Sequence, residues 1–345
     1  MNIINKLISA RFKLLVMALL TTLCFHPFTV NAEVVSLDEV FKLLPFSEEE
    51  KQKILQGEIV KTLPDESADD ELAVGLAFMV KNTPEVISQT FLGGTTIDQS
   101  SAIDSHQLIT SEADFKGLAL TAAEQDEVDK FLNASPGDEL NLHADEIAAF
   151  KAVKAKGLSD TDARKQVLSQ FHAMLFKRYQ AYKAGGTMAI APYHREDGKQ
   201  YKAGDYLQSV ALDTSILEKL YPKFHKILLE YPKVKDPALK EHFFWMKMTV
   251  EGRPTFVLIH RMAIEENGAY LVAGKHYYAS QGYNAEQEVG MLIPTEKGTL
   301  AALITRASSD AVAGFGSSAK RFIGKRLMAD DMTTFYKAMQ KKLGK

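Results

Sequence analysis

Apolar positions along the chain change period twice. Residues 37–56 carry helical spacing among acids, with Ser47 ahead of Glu48 to Glu50 as a cap and Gly57 as a stop. Strand-like runs follow at 58–63 and 72–80, joined by the polar PDESADDE. Thr83-Pro84-Glu85 then supplies a cap, a proline at the first helical position and an acid in the first turn. That helix runs to about Leu92 and stops at Gly93-Gly94. Residues 112–240 are rich in Ala, Lys, Asp and Glu and read as mainly helical. Their clearest piece is 160–184, capped by Ser159 and ended by Gly185-Gly186, with Leu168, Phe171, Leu175, Phe176, Tyr179 and Tyr182 on one face. A second helix is expected over Ser215 to Glu230.

From 242 to 307 the spacing becomes that of strands. HFFWMKMTV, PTFVLIHRMAI, AYLVAGKHYYAS, AEQEVGMLIP and TLAALITRA are separated by turn signals, of which Asn267-Gly268 is the strongest. Five short strands with short turns predict an antiparallel meander. One amphipathic helix closes the chain, with Met328, Met332, Phe335, Met339 and Leu343 recurring every three or four residues. The fold class is therefore α+β, a meander wrapped on a long C-terminal helix, with a large helical insertion. The divisions are 1–32, then 33–111 (helix, strand pair and helix), 112–240 (helical insertion) and 241–345 (meander plus terminal helix).

Residues 1–32 read as a signal peptide. Lys6, Arg11 and Lys13 precede the apolar LLVMALLTTLCF, and Val30-Asn31-Ala32 offers a small residue at the cleavage point. The expected location is periplasmic or secreted. Cleavage would remove three positive charges and no negative ones from a net charge of −3, and would also remove the only cysteine, Cys24. The remainder then has no disulfide and no thiol chemistry. Its mild acidity argues against nucleic acid as a partner.

Gly314-Phe315-Gly316-Ser317-Ser318-Ala319 fits GxGxxA after a strand and before a helix. A dinucleotide site also needs a parallel strand after that helix, and the chain has none to offer. The glycines read instead as a tight turn from sheet to helix, and no cofactor is expected. There is no GxSxG, no HExxH and no histidine set with metal-ligand spacing, so neither catalytic residues nor a metal site are assigned.

This order of elements resembles the helix-grip (START-like) arrangement, in which a curved antiparallel sheet wraps a terminal helix and encloses an apolar cavity. The wording of the last hundred residues also resembles a set of exported bacterial proteins without an established function. The resemblance is carried by Trp245 and Lys247 in FFWMK, His260 in LIHRM, Tyr278-Ala279-Ser280 in YASQGY and Arg306, Asp310 and Gly314 in RASSDAVAGFG. GEIVKTLP at 57–64 adds to it. Gln281 stands where that pattern has a histidine.

Alternation puts Phe243, Trp245, Lys247 and Thr249 on one face, Phe256, Leu258, His260, Met262 and Ile264 on another, and Tyr270, Val272, His276 and Tyr278 on a third. If all three line the sheet's concave side, they form an apolar pocket with a few polar groups, suited to an amphiphile. The candidate ligand-binding residues are Trp245, Lys247, His260, His276, Tyr278 and Arg306. The competing reading makes Lys247 and His260 solvent-facing, or His260 a hydrogen-bonded core residue, and makes Arg306 and Asp310 an ion pair or has Asp310 satisfy backbone N–H groups of the turn. The leading function is a carrier or sensor that binds a hydrophobic or amphiphilic small molecule. The alternatives are an envelope enzyme acting on a lipid-like substrate, or an assembly protein that docks an envelope partner through 112–240. Membrane contact is expected to be at most peripheral, through Lys320, Arg321, Lys325 and Arg326.

Overall fold

Strand order defines the molecule. In the computed structural model, which describes residues 36–344 apart from 95, 96, 98, 99, 101, 138 and 315, one antiparallel eight-stranded sheet runs through the protein. Residues 1–32, expected to be a signal peptide, and Phe315 lie outside the described residues. Helices α1 (Leu37–Leu43) and α2 (Glu48–Leu55) come first, each held by a serine capping box. Then come β1 (Val60–Thr62), β2 (Glu71–Val80), α3 (Pro84–Leu92) and β3 (Ile103–Leu108). The segment that follows holds α4 (Gln125–Leu132), α5 (Ala144–Lys154), α6 (Asp160–Gly185), the small hairpin β4 (Tyr193–His194) and β5 (Gln200–Tyr201), α7 (Ala203–Leu212), α8 (Ser215–Leu220) and α9 (Pro222–Glu230). The meander is β6 (Lys240–Val250), β7 (Arg253–Glu266), β8 (Ala269–Ala279), β9 (Ala285–Thr295) and β10 (Gly298–Ser308), and α10 (Ser317–Leu343) closes the chain.

The sheet order is β1-β2-β10-β9-β8-β7-β6-β3. The N-terminal strand pair thus joins one end of the meander, and β3 joins the other. The predicted hairpin at Asn267-Gly268 is present, with both residues at positive φ (48° and 77°). Gly314 and Gly316 also sit at positive φ (73° and 74°), which makes them the sheet-to-helix turn. Strand β3 was not visible in the sequence, because IDSHQL is an edge strand with polar, half-exposed side chains. The helix expected over Ser215 to Glu230 is two helices, since the chain turns at Tyr221 and restarts with Pro222 at the first helical position.

Both faces of the sheet are buried. On the first face, Val74, Leu76 and Phe78 of β2, Val272 and Leu292 pack against α3 and against Ala329, Tyr336 and Met339 of α10. The methionine stripe of α10 is therefore core. Its partly buried members Met328 and Met332 lie against the same cluster. On the second face, Phe243, Trp245, Phe256, Leu258, Tyr277 and Tyr278 pack against α4, α5, α6 and α7. Met262, Ile264, Leu271 and Met291 pack against α1, α8 and α9. We call these the helix face and the insertion face.

Helix α6 seals the insertion face. It ends at Gly186, whose φ is +65° and where a Cβ would lie 2.0 Å from the Tyr231 carbonyl oxygen. No other residue fits that approach. Phe171 of α6 is fully buried, with its ring 5.0 Å from Phe131 of α4 and 4.9 Å from Phe256 of β7. Phe171→Ala is expected to cost about 3–5 kcal/mol, read as a lower urea midpoint with an unchanged slope. A cost near zero would mean that α6 does not hold this face closed.

Candidate functional site

The six sequence candidates do not converge. Trp245 is buried, and its indole N–H donates to the Asp114 carbonyl at 2.9 Å. Lys247 forms a 2.6 Å ion pair with Glu124 and donates to the Ala119 carbonyl at 3.2 Å. It is 7% exposed, which removes the solvent-facing alternative for this lysine. His260 is fully buried. Its Nε2 lies 2.9 Å from Glu241 Oε2 and its Nδ1 lies 3.0 Å from the Tyr182 hydroxyl. Burial pushes the imidazole pKa below its usual value, and Glu241 opposes that shift. A neutral ring then donates to Glu241 and accepts from Tyr182. Tyr182 stacks on Tyr277 at 4.0 Å, and the relay reaches solvent only at Glu241, whose side chain is 35% exposed.

Tyr278 is buried under the Arg178 guanidinium at 4.4 Å. Arg306 and Asp310 do not pair with each other. Arg306 reaches Glu71 Oε1 at 3.1 Å, and Asp310 pairs with Arg195 at 2.8 Å. All five of these candidates project to the insertion face, not toward α10. Only His276 projects to the helix face, where it lies beside Tyr283 and Glu286. The third alternation set breaks because β8 carries a bulge. Leu258 pairs with Tyr278 and Ile259 with His276, which leaves Tyr277 as the extra residue. His276 and Tyr278 therefore point to opposite faces, which alternation alone does not give. Of the basic residues at the start of α10, Arg321 pairs with Asp69 and Lys325 with Glu66.

The larger opening is elsewhere. A cleft of about 240 Å³ lies on the insertion face, between the segment after α1, the start of α8, and β9 and β10. Leu44, Phe46, Ile216, Met291, Ala302 and Ile304 give it apolar walls, and Asp213 and Thr214 stand at its edge. Leu43 also lines it and is 41% exposed, so an apolar wall continues into solvent. Gly75 lines the cleft without a side chain; a Cβ there would lie 2.3 Å from the Thr62 hydroxyl. A second pocket, of about 170 Å³, is lined by His143, Glu146, Lys177, Arg178 and Tyr277, and its two most buried charges, Arg178 and Glu146, are already paired. Arg178 bonds both Glu146 oxygens, at 2.8 and 2.6 Å. None of the six sequence candidates lines either opening. The cleft draws residues from distant stretches of the chain, and no local sequence signal joins them.

Lys275 is a further residue that sequence reasoning missed. It is 1% exposed, and its ammonium donates to the Leu228 carbonyl at 2.8 Å. Burial pushes its pKa down to about 7.

A sheet ordered β2-β10-β9-β8-β7-β6-β3, a helix between β2 and β3, and a long terminal helix on one face define a helix-grip protein, with 112–240 inserted between β3 and β6. No family model matches the chain, and no curated protein does. Among solved structures it is similar to one titled "Crystal structure of Ara h 8.0201", at 10% identity, with 40% of this chain and 89% of that chain covered and a TM-score of 0.19. The fold assignment rests on the strand order, not on that score. Among the described residues no helix is long and apolar enough to cross a membrane.

The Lys275 geometry sets a pH dependence. Its folded pKa is depressed below the ordinary 10.5, so the unfolded chain binds the extra proton between about 7 and 10.5. Stability from this group thus rises with pH across that window and is lost as pH falls through 7, at up to about 1.4 kcal/mol per pH unit. Lys275→Met is expected to be more stable than the parent at pH 7, and that advantage should shrink toward pH 10. Urea titrations across the window would show a constant gap if the ammonium were solvated.

Proposed function

We propose that the protein binds a small, mostly apolar molecule in the cleft on the insertion face, and that it serves as a carrier or sensor. The observation that carries this reading is the cleft itself: about 240 Å³ of apolar-walled space with a few polar groups at one edge. Such a site gains roughly 25 cal/mol per Å² of apolar surface removed from water, while Asp213 and Thr214 orient a polar end. Asp213 already accepts a hydrogen bond from the Ser67 hydroxyl, so the edge is held in place before a ligand arrives.

A neutral fluorescent probe, N-phenylnaphthylamine, tests this. Ala302→Leu adds bulk to the cleft floor, where open space limits the strain. Probe affinity is expected to fall about ten-fold or more, with the thermal midpoint little changed. Equal affinity in parent and variant would sink the cleft as the site.

The same proposal includes export, supported by the charged start and apolar run of residues 1–32. N-terminal sequencing of protein recovered from its natural host should begin at Glu33. Recovery with residues 1–32 still attached would overturn cleavage there.

A further inference from the structure

The pocket of about 170 Å³ keeps one polar group without a partner. Its walls are the start of α5, the middle of α6 and residues 189–191 after α6, and Tyr277 of β8 closes it from the sheet side. Arg178 braces these walls against one another. Its Nε and Nη2 donate to the two Glu146 oxygens of α5, and its Nη1 donates to the Ala191 carbonyl at 3.3 Å. Glu146 also accepts from the His143 backbone N–H at 2.7 Å, in the capping box of α5. The pocket therefore holds its shape before anything enters it.

Tyr277 is the extra residue of the β8 bulge. It is 1% exposed, and its ring lies flat on Tyr182, with 6° between the planes. A side chain that rises from the sheet to a pocket walled by helices reaches it with its far end, which here carries the hydroxyl. That hydroxyl is buried and makes no hydrogen bond. Burial holds its pKa well above the ordinary tyrosine value, so the O–H stays a donor. A buried donor left unused costs folding stability, and such groups are rare. The other buried polar groups of the walls are engaged, Arg178 with Glu146 and, nearer solvent, His143 Nδ1 at 3.5 Å from Asp145. Lys177 also lines the pocket but is exposed. Inside, an anion would face Glu146 and a cation would face Arg178, while Ala181, Ala189 and Ile190 offer apolar surface. The complement of this lining is an uncharged molecule with one acceptor.

We propose that this pocket is a second binding site, separate from the cleft, and that it takes a small uncharged carbonyl compound. The carbonyl oxygen accepts the Tyr277 hydroxyl, and the apolar body lies along Ala181, Ala189 and Ile190. The hydroxyl gives the selectivity, because a ligand of the same shape without an acceptor leaves the buried O–H unpaired.

Titration calorimetry at neutral pH with acetophenone, α-methylstyrene and benzoate tests the proposal. The styrene keeps the ketone's shape with a methylene in place of the oxygen, and benzoate keeps the ring with a charge. Acetophenone is expected to bind about ten-fold more tightly than the styrene, and benzoate more weakly than the ketone. Tyr277→Phe should abolish the ketone's advantage and leave the styrene unchanged. It should also raise the ligand-free thermal midpoint, since no buried hydroxyl is then left unpaired. Ala181→Leu adds bulk to the α6 wall and should weaken ketone and styrene alike. Ala302→Leu, which fills the cleft, should leave the ketone's advantage intact, so the two sites can fail separately. No ketone binding, equal binding of ketone and styrene, or tighter binding of benzoate would overturn the proposal. So would a ketone advantage that survives Tyr277→Phe or is lost in Ala302→Leu, or a fall in midpoint in Tyr277→Phe. If Tyr277→Phe does not fold, Ala181→Leu decides, and unchanged ketone affinity in it overturns the site.

Discussion

A sheet whose central strands are apolar on both faces has to be covered twice. Strand β7 is buried at almost every position from Thr255 to Ile264, and β8 from Leu271 to Lys275. One terminal helix covers one face of such a sheet and leaves the other in water. The 112–240 segment removes that exposure. It enters between β3 and β6, crosses the second face with α4 to α9, and returns to the meander at Lys240. The ion pairs and carbonyl bonds of Lys247, Arg306 and Lys275 then serve to fasten polar strand positions to that cover.

This constraint explains what was legible in the sequence. Helix caps at Ser47, Thr83 and Ser159, the Asn267-Gly268 hairpin and the five strand runs are local signals, and local signals survive folding. The facing of the strands is not local. HFFWMKMTV and PTFVLIHRMAI are apolar at nearly every position, so alternation names two faces without saying which one meets α10. Trp245 and His260 were assigned together and do share a face, but it is the insertion face. His276 was separated from Tyr278 by one bulged residue, and nothing in YLVAGKHYYAS marks that bulge. The partners of Arg306 and Lys247 lie more than a hundred residues away, beyond the reach of any spacing rule.

The two faces treat their polar groups differently. On the insertion face, His260, Lys275, Gln287 and Arg306 form a row from β7 to β10. Three of the four reach a carboxylate or a carbonyl of a neighbouring segment. These bonds fix register and orientation, although Gln287 Oε1 and Arg306 Nε stay buried without a partner. One step along the sheet, on the opposite face, the row of Arg261, Gly274, Glu288 and Thr305 has a glycine where a partner side chain would stand.

That contrast bears on where chemistry can occur in this fold. A buried carboxylate without a counter-charge destabilises the folded chain, and replacing it by an apolar residue of like size would remove the cost. Glu286 carries that cost on the helix face, where burial pushes its pKa up to about 7 while 26% of its side-chain surface stays open. The apolar cleft on the other face carries no such penalty, and shape and area alone set what it accepts.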